Sequence, residues 1–372
     1  MRVLRIDDHS PYNRLVGIGG IGTGIFFALE GDHTLGRNES RAGRLLDVRD
    51  YCKLHIVIHY VAKLLGAHPS GAPFHVLPVG KVGDDSGGRF LREEMIAAGI
   101  DTSLVTRIPG HPTLFSVCFQ YPDHSGGNIT TSTSAAGTLC RCDVDEVADV
   151  LRSGGARTMA SLLPEVSMGV RRYFLELATR SGNFRTASFV AGEIAQAKNE
   201  GMFDQLDLVC LNEDEAPKLI GENFSSDGPE RLAEKSVRLL HRCYPNLKMV
   251  ISAGKNGAYA VSCESWNYCP APKVQVASSA GAGDCLMGGI LAGLAAGIPL
   301  MKLQGQRSII AKGPLETALE LSVLLASYKV TSPHTIHPDA TLSTLIDFAD
   351  AQGLSLAPEI QDRVTDEPAI RV

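Results

Sequence analysis

The stretch Cys285-Leu286-Met287-Gly288-Gly289-Ile290-Leu291-Ala292-Gly293-Leu294-Ala295-Ala296 contains only small or apolar residues and no charge. A helix built from it is hydrophobic all round and is stable only inside a packed layer. Gly281-Ala282-Gly283-Asp284 introduces it. A helix starting on Gly-Ala-Gly leaves backbone N–H groups unpaired near the positive end of its dipole, which suits an anion. Asp284 would stand beside a phosphate held there, an arrangement of use when the acid takes a proton during a reaction. The same residues also fit a tight turn with Asp284 as a helix cap.

The rest of the chain alternates between helix-like and strand-like segments. Helices are expected near 143–152 and 168–180, an apolar turn at 158–164 and a strand over Leu206–Leu211. Such alternation argues for a mostly parallel sheet covered on both faces. Val76–Gly88 reads as a strand and a turn before a helix over 89–98, and residues 114–121 alternate as a lid or edge strand does. Lys273–Val276 reads as a strand ahead of the apolar helix. Asp50–Leu65 reads as a helix with Leu54, Val57, Ile58, Val61 and Leu65 on one stripe. Cys52, His55 and His59 fall on its opposite face, read as a solvated face rather than a metal site. A further helix is expected over Ala311–Val330, and residues 353–372, mixing proline and charge, read as a surface tail or strap.

Several function classes drop out. Gly17-Ile18-Gly19-Gly20-Ile21-Gly22 matches Gly-x-Gly-x-x-Gly, but a dinucleotide fold needs a full helix next; Ile25–Glu30 leaves room for a strand instead. Gly254-Lys255 lacks Walker A spacing and a following helix. The 372 residues include 35 basic and 41 acidic side chains, a net charge of −6 without a basic cluster, so nucleic acid is not expected as a partner. No apolar run is long enough to span a bilayer, and the first residues lack the apolar core of a secretory signal. With nine dispersed cysteines, read as reduced core residues, the expected compartment is the cytoplasm.

Asn212-Glu213-Asp214-Glu215 follows the strand ending at Leu211. Ligands of open α/β sheets collect at the C-terminal ends of strands. Three neighbouring acids call for a cation or a solvated position, and an acidic helix N-terminus favoured by the dipole is the other reading.

Taken together, Gly281-Ala282-Gly283-Asp284, Asn212-x-x-Glu215, the succession Val79-Gly80-x-Val82-Gly83-Asp84-Asp85, Gly99-Ile100-Asp101-Thr102 and Pro112-Thr113, and Ser252-x-Gly254-x-x-Gly257 resemble the ribokinase-like (PfkB) carbohydrate and nucleoside kinases. The likeness runs over residues 14–350. It departs from the family at Ser278-Ser279-Ala280, where relatives carry Asp-Thr-Thr, at positions 23–24, where an aspartate is expected, and along 50–65, where Gly-Gly and Asn are absent. The resemblance implies a ribokinase-like α/β domain over 1–352, with lid segments at about 25–48 and 105–135 and a tail at 353–372. It implies phosphoryl transfer from ATP to a hydroxyl of a sugar, nucleoside or related small alcohol; the alternative is a non-catalytic relative that binds nucleotide or sugar. In that reading Asp284 is the base, the N–H groups of Gly281, Ala282 and Gly283 form the anion hole, Ser252, Gly254 and Gly257 approach the nucleotide phosphates, and Asn212 and Glu215 order magnesium, through water. The acceptor would be met by an atypical pocket with Asp32, Arg49, Asp50, Lys53 and His55 as candidates. Lids of this kind pair edge to edge in relatives, so a homodimer is the expected assembly.

Overall fold

Short strands with apolar residues on both faces need cover on both sides. In the computed structural model, which describes residues 2–123, 126–221, 228–302 and 313–366, they are covered by two helix layers. The first part of the chain contains β1 (Arg2–Leu4), β2 (Arg14–Ile18), β3 (Gly22–Leu29), β4 (Gly43–Tyr51), α1 (Lys53–Leu65), β5 (His75–Gly83), α2 (Ser86–Ala97), β6 (Val105–Ile108), β7 (Leu114–Gln120) and β8 (Gly126–Thr130). The middle contains α3 (Arg141–Asp145), α4 (Ala148–Gly154), β9 (Thr158–Leu162), α5 (Met168–Arg180), β10 (Phe184–Ser188), α6 (Ile194–Asn199), β11 (Leu208–Asn212), α7 (Ala216–Ile220) and α8 (Gly228–Cys243). Last come β12 (Lys248–Ser252), β13 (Ala258–Val261), β14 (Trp266–Cys269), α9 (Ala282–Ala295), β15 (Pro314–Leu315), α10 (Ala318–Lys329), α11 (Leu342–Ala351), β16 (Ser355–Leu356), α12 (Pro358–Gln361) and β17 (Val364–Asp366).

Nine strands form the central sheet in the order β14-β13-β12-β11-β10-β9-β2-β5-β6. All neighbours from β12 to β6 run parallel, and β13 and β14 are antiparallel additions at one edge. Strand alternation divides the interior between two cores. In β2, Leu15 enters the core with α1 and α9, while Val16 and Ile18 enter the core with α4, α5 and α8. The apolar helix α9 lies between α1 and α10, and its glycines explain how it fits. A Cβ added at Gly288 would stand 2.8 Å from the Val57 carbonyl oxygen, and one at Gly289 would stand 2.7 Å from Ser322 Oγ.

The lid is a separate four-stranded sheet, ordered β4-β3-β7-β8. Its registers place Leu46, Phe26, Cys118 and Asn128 in one row and Leu45, Phe27, Phe119 and Gly127 in the next. The row with Phe26, Cys118 and Asn128 faces a cavity above the C-terminal ends of the central strands.

Several expectations need correction. The apolar turn at 158–164 is β9, an inner strand: its five residues are buried on both faces, so no alternation marks it. Lys273–Val276 is extended without a strand partner; Pro270 and Pro272 lead into it, and its continuation bonds from Ala277 and Ser278 to the Val330 carbonyl. Val105–Ile108 belongs to the central sheet edge, not to the lid. The helix expected from Ala311 starts at Ala318 with a Thr317–Glu320 capping box; residues 311–312 lie outside the described residues. Residues 353–366 are tied into the fold, β16 against β15 and β17 against β1, while 367–372 lie outside the described residues. Cys140 and Cys142 form a disulfide, with Cα atoms 5.4 Å apart. No helix among the described residues is long and apolar enough to cross a membrane.

Candidate active site

The site is built where the first turn of α9 meets the ends of β11 and β12 on one side and the lid on the other. Gly281 takes φ +76°, and a Cβ there would press to 2.7 Å from the Thr335 carbonyl oxygen, so only glycine fits. The N–H of Ala282 bonds back to the Ser279 carbonyl at 3.1 Å. Among the described residues, the N–H groups of Gly281, Gly283 and Asp284 have no acceptor. The amides left open to a ligand in this geometry are those three, whereas the Ala282 N–H, expected among them, is engaged by the turn.

Behind this turn lies a residue with no motif to announce it. Lys329, buried at the end of α10, donates from Nζ to the carbonyls of Ser278 (3.1 Å) and Ala280. Burial pulls its pKa down to about 8, against the pull of Cys285, Asp284 and Asp50. It fixes the loop that enters α9.

Asp284 Oδ1 lies 3.6 Å from Lys53 Nζ. The carboxylate raises the Lys53 pKa against the cost of burial. Two cavities meet at this pair. One, of about 210 Å³, opens at the strand ends between Asn212, Glu215, Ser252 and Gly283. The other, of about 280 Å³, lies under the lid between Phe26, Asp50, Cys118 and Glu165. Lys53, Ser279, Gly281 and Asp284 line both.

At the strand ends, Asn212 Oδ1 accepts from the N–H groups of Asp214 (2.9 Å) and Glu215 (2.8 Å), and Glu215 Oε2 accepts the Asn212 N–H at 2.9 Å. The Asn212 carbonyl therefore caps the turn, while Glu215 also faces the cleft. Burial raises the Glu215 pKa; the Asn212 N–H and Lys53 oppose this, and Asp284 and Asp214 add to it. Ser252 ends β12 on the same cleft. Gly254 and Gly257 sit in the turn beyond it at φ +52° and +97°, outside the cleft lining. A Cβ at Gly257 would meet the Cys269 carbonyl at 2.0 Å, so its role here is to let two strands close.

Of the five acceptor candidates, Asp50 and Lys53 line the lid cavity. Asp32 does not: it stands fully exposed on the lid loop. Arg49 points outward to Glu94 at 3.8 Å. His55 is buried in α1 against Tyr51, its pKa driven well below the usual range by burial and by His59. The face read as solvated is covered, which also removes the histidines from the pocket.

Glu165 is the site residue that sequence reasoning missed. It follows β9 at φ +74°, a costly conformation for a residue with a side chain. Gly20 makes room for it, since a Cβ there would lie 2.4 Å from Glu165 Cβ. The Gly17–Gly22 pattern is thus a close-packing device, followed by β3 and no helix. Burial lifts the Glu165 carboxyl to about 7; the Cys52 thiol and Lys53 pull it down, and Asp284 and Asp50 push it up. Asp50, 3.6 Å from the Cys118 thiol, is likewise raised by burial, with Asp284 adding to the rise.

The parallel sheet, the crossing lid and a site shared between them define a ribokinase-like α/β fold. Residues 58–342 match the family described as pfkB family carbohydrate kinase, and the chain belongs to that family. It is 27% identical over 247 residues to a fructokinase of Klebsiella pneumoniae, covering 62% of this chain and 78% of that one. The ribokinase of Giardia lamblia superposes with a TM-score of 0.71 at 17% identity, over 92% of this chain and 98% of the other. The ribokinase of Cryptococcus neoformans var. grubii in complex with ADP gives 0.69 at 19% identity, over 90% and 99%.

Proposed function

We propose that this protein transfers the γ-phosphoryl group of ATP to a hydroxyl of a sugar, nucleoside or related small alcohol. The observation that carries the reading is the position of Asp284 at the common wall of two cavities, beside amides without acceptors. ATP as donor is further supported by the ADP held by the Cryptococcus ribokinase.

In the proposed step the acceptor hydroxyl passes its proton to Asp284 while its oxygen bonds to the γ-phosphorus. The bond from that phosphorus to the bridging oxygen of ADP breaks, leaving a phosphomonoester and ADP. Transfer of this kind needs positioning and charge stabilisation more than covalent help. The N–H groups of Gly281 and Gly283 would meet charge on the transferring group, and Lys53 would hold the Asp284 carboxylate toward the lid cavity. Glu215, whose carboxyl lines the strand-end cleft with its pKa raised by burial, would face a divalent cation through water. Magnesium bound there with ATP would neutralise phosphate charge.

The second reading, a binding protein without turnover, draws on Ser278-Ser279-Ala280 and on the engaged Ala282 N–H. One assay separates the two: ADP release from Mg·ATP with and without each of a panel of sugars and nucleosides. Acceptor-dependent ADP release, with a phosphorylated product seen by mass spectrometry, supports the kinase. Binding of ATP with no product from any acceptor supports the second reading.

A further inference from the structure

Positive charge is scarce around the two cavities. Among the described residues, the charged side chains lining the strand-end cavity are Glu215, Asp284 and Lys53, and those lining the lid cavity are Asp50, Glu165, Asp284 and Lys53. Lys53 is thus the one cationic side chain among the described residues that faces either cavity, and it faces both. It opens α1, two residues after the lid strand β4 ends at Tyr51, so the chain itself delivers it to the junction of lid and sheet. Asp284 does most to keep it charged; burial opposes this, and Glu215 and Glu165 side with Asp284. Its Nζ carries three N–H donors, more than one carboxylate oxygen 3.6 Å away can use. The turn at the start of α9, meanwhile, is short of a donor, since the Ala282 N–H is bonded to the Ser279 carbonyl.

Resting on the kinase reading above, we propose that Lys53 is a catalytic residue: beyond holding Asp284, its ammonium bonds a non-bridging oxygen of the phosphoryl group during transfer, as the donor that Ala282 does not supply. A phosphoryl group leaving the strand-end cavity for an acceptor under the lid passes the wall the cavities share, which is Lys53, Ser279, Gly281 and Asp284. Lys53 gains and loses no proton. The acceptor proton goes to Asp284, one O–P bond forms as the other breaks, and the ammonium offsets charge on the phosphoryl oxygens. In a place where water screens little, a fixed charge acts more strongly than in bulk solvent.

The test is a double-mutant cycle in kcat, with Lys53→Met, Asp284→Asn and the pair, using the best acceptor from the panel of sugars and nucleosides. Lys53→Met should lower kcat ~100-fold or more, the scale of losing one charge-stabilising donor. Lys53→Arg, which keeps the charge, should retain part of the activity. In the Asp284→Asn background the Lys53→Met loss should persist; if it vanishes there, Lys53 acts only through Asp284 and the proposal is overturned. Mg·ADP affinity, read by calorimetry, should be unchanged in Lys53→Met, because ADP lacks the group that Lys53 meets. A fall in ADP affinity that matches the fall in kcat would make Lys53 a structural residue and also overturn the proposal. Turnover of Lys53→Met at the wild-type rate removes the role of Lys53 and leaves the kinase reading standing. If wild type gives no product from any acceptor, both fall together.

Discussion

At the scale of single residues, the site depends on groups that burial makes unusual. The Glu165 carboxyl is lifted from 4.5 to about 7, so the folded protein holds its proton more tightly than the unfolded chain does. Its contribution to stability is therefore complete below pH about 4.5 and is lost as pH rises through about 7. Glu165→Gln should flatten the pH dependence of Tm across that window; an unchanged slope would show that Glu165 titrates normally. Lys329 acts from behind the site. Replacing it with Met should release the Ser278 and Ala280 carbonyls and lower kcat ~10–100-fold, the scale of a small misplacement. Wild-type kcat should also fall above pH about 8 as the ammonium deprotonates, and Lys329→Met should lack that limb. A variant with wild-type kcat at every pH would remove Lys329 from the account. Neither residue was legible in the sequence. Asp284 and its glycines form a local pattern, whereas Glu165 and Lys329 reach the site from a loop after β9 and from the end of α10, and no spacing joins them to it.

At the scale of elements, α9 is the part the sequence described best, because a helix of small and apolar residues can only be buried. What the composition did not say is which neighbours the glycines admit. Gly288 lies against the backbone of α1, so Gly288→Ala should destabilise by ~1–3 kcal/mol, the usual cost of overpacking, read from urea unfolding. By contrast, a Cβ at Gly283 would meet nothing nearer than Ser252 Oγ at 3.9 Å. If Gly288→Ala proves neutral, the close α1–α9 packing is wrong. Among the elements missed, β9 and β10 are five residues each and, in β9, buried on both faces; short strands of this kind lack the alternation that marks a half-exposed one. The stripe on α1 was read correctly as far as it went. Its second face is covered as well, with His55 buried against the Tyr51 ring, and the histidines gave no sign of that.

At the scale of the whole molecule, the lid has two faces with different business. One covers the acceptor cavity. The other carries Ile25, Phe27, Leu45, Val117 and Ile129, with Leu45 and Ile129 well exposed. An apolar sheet face of that extent is suited to a second copy of the chain, the homodimer expected from the resemblance. Leu45→Glu with Ile129→Glu should yield monomer in analytical ultracentrifugation; a wild type that is monomeric at micromolar concentration would contradict the dimer. The expectation of a lid came from the resemblance, with residues 114–121 alternating as a lid or edge strand does. The lid boundaries were not legible, because β6 precedes β7 by few residues, so a strand of the central sheet fell inside the expected lid segment. The central claim remains the role of the acid at the start of α9, and the most direct test is the steady-state kinetics of Asp284→Asn with a working acceptor. The account predicts kcat lower by ~10²–10⁴-fold with KM for ATP within a few-fold of wild type; a variant that turns over at the wild-type rate would contradict it.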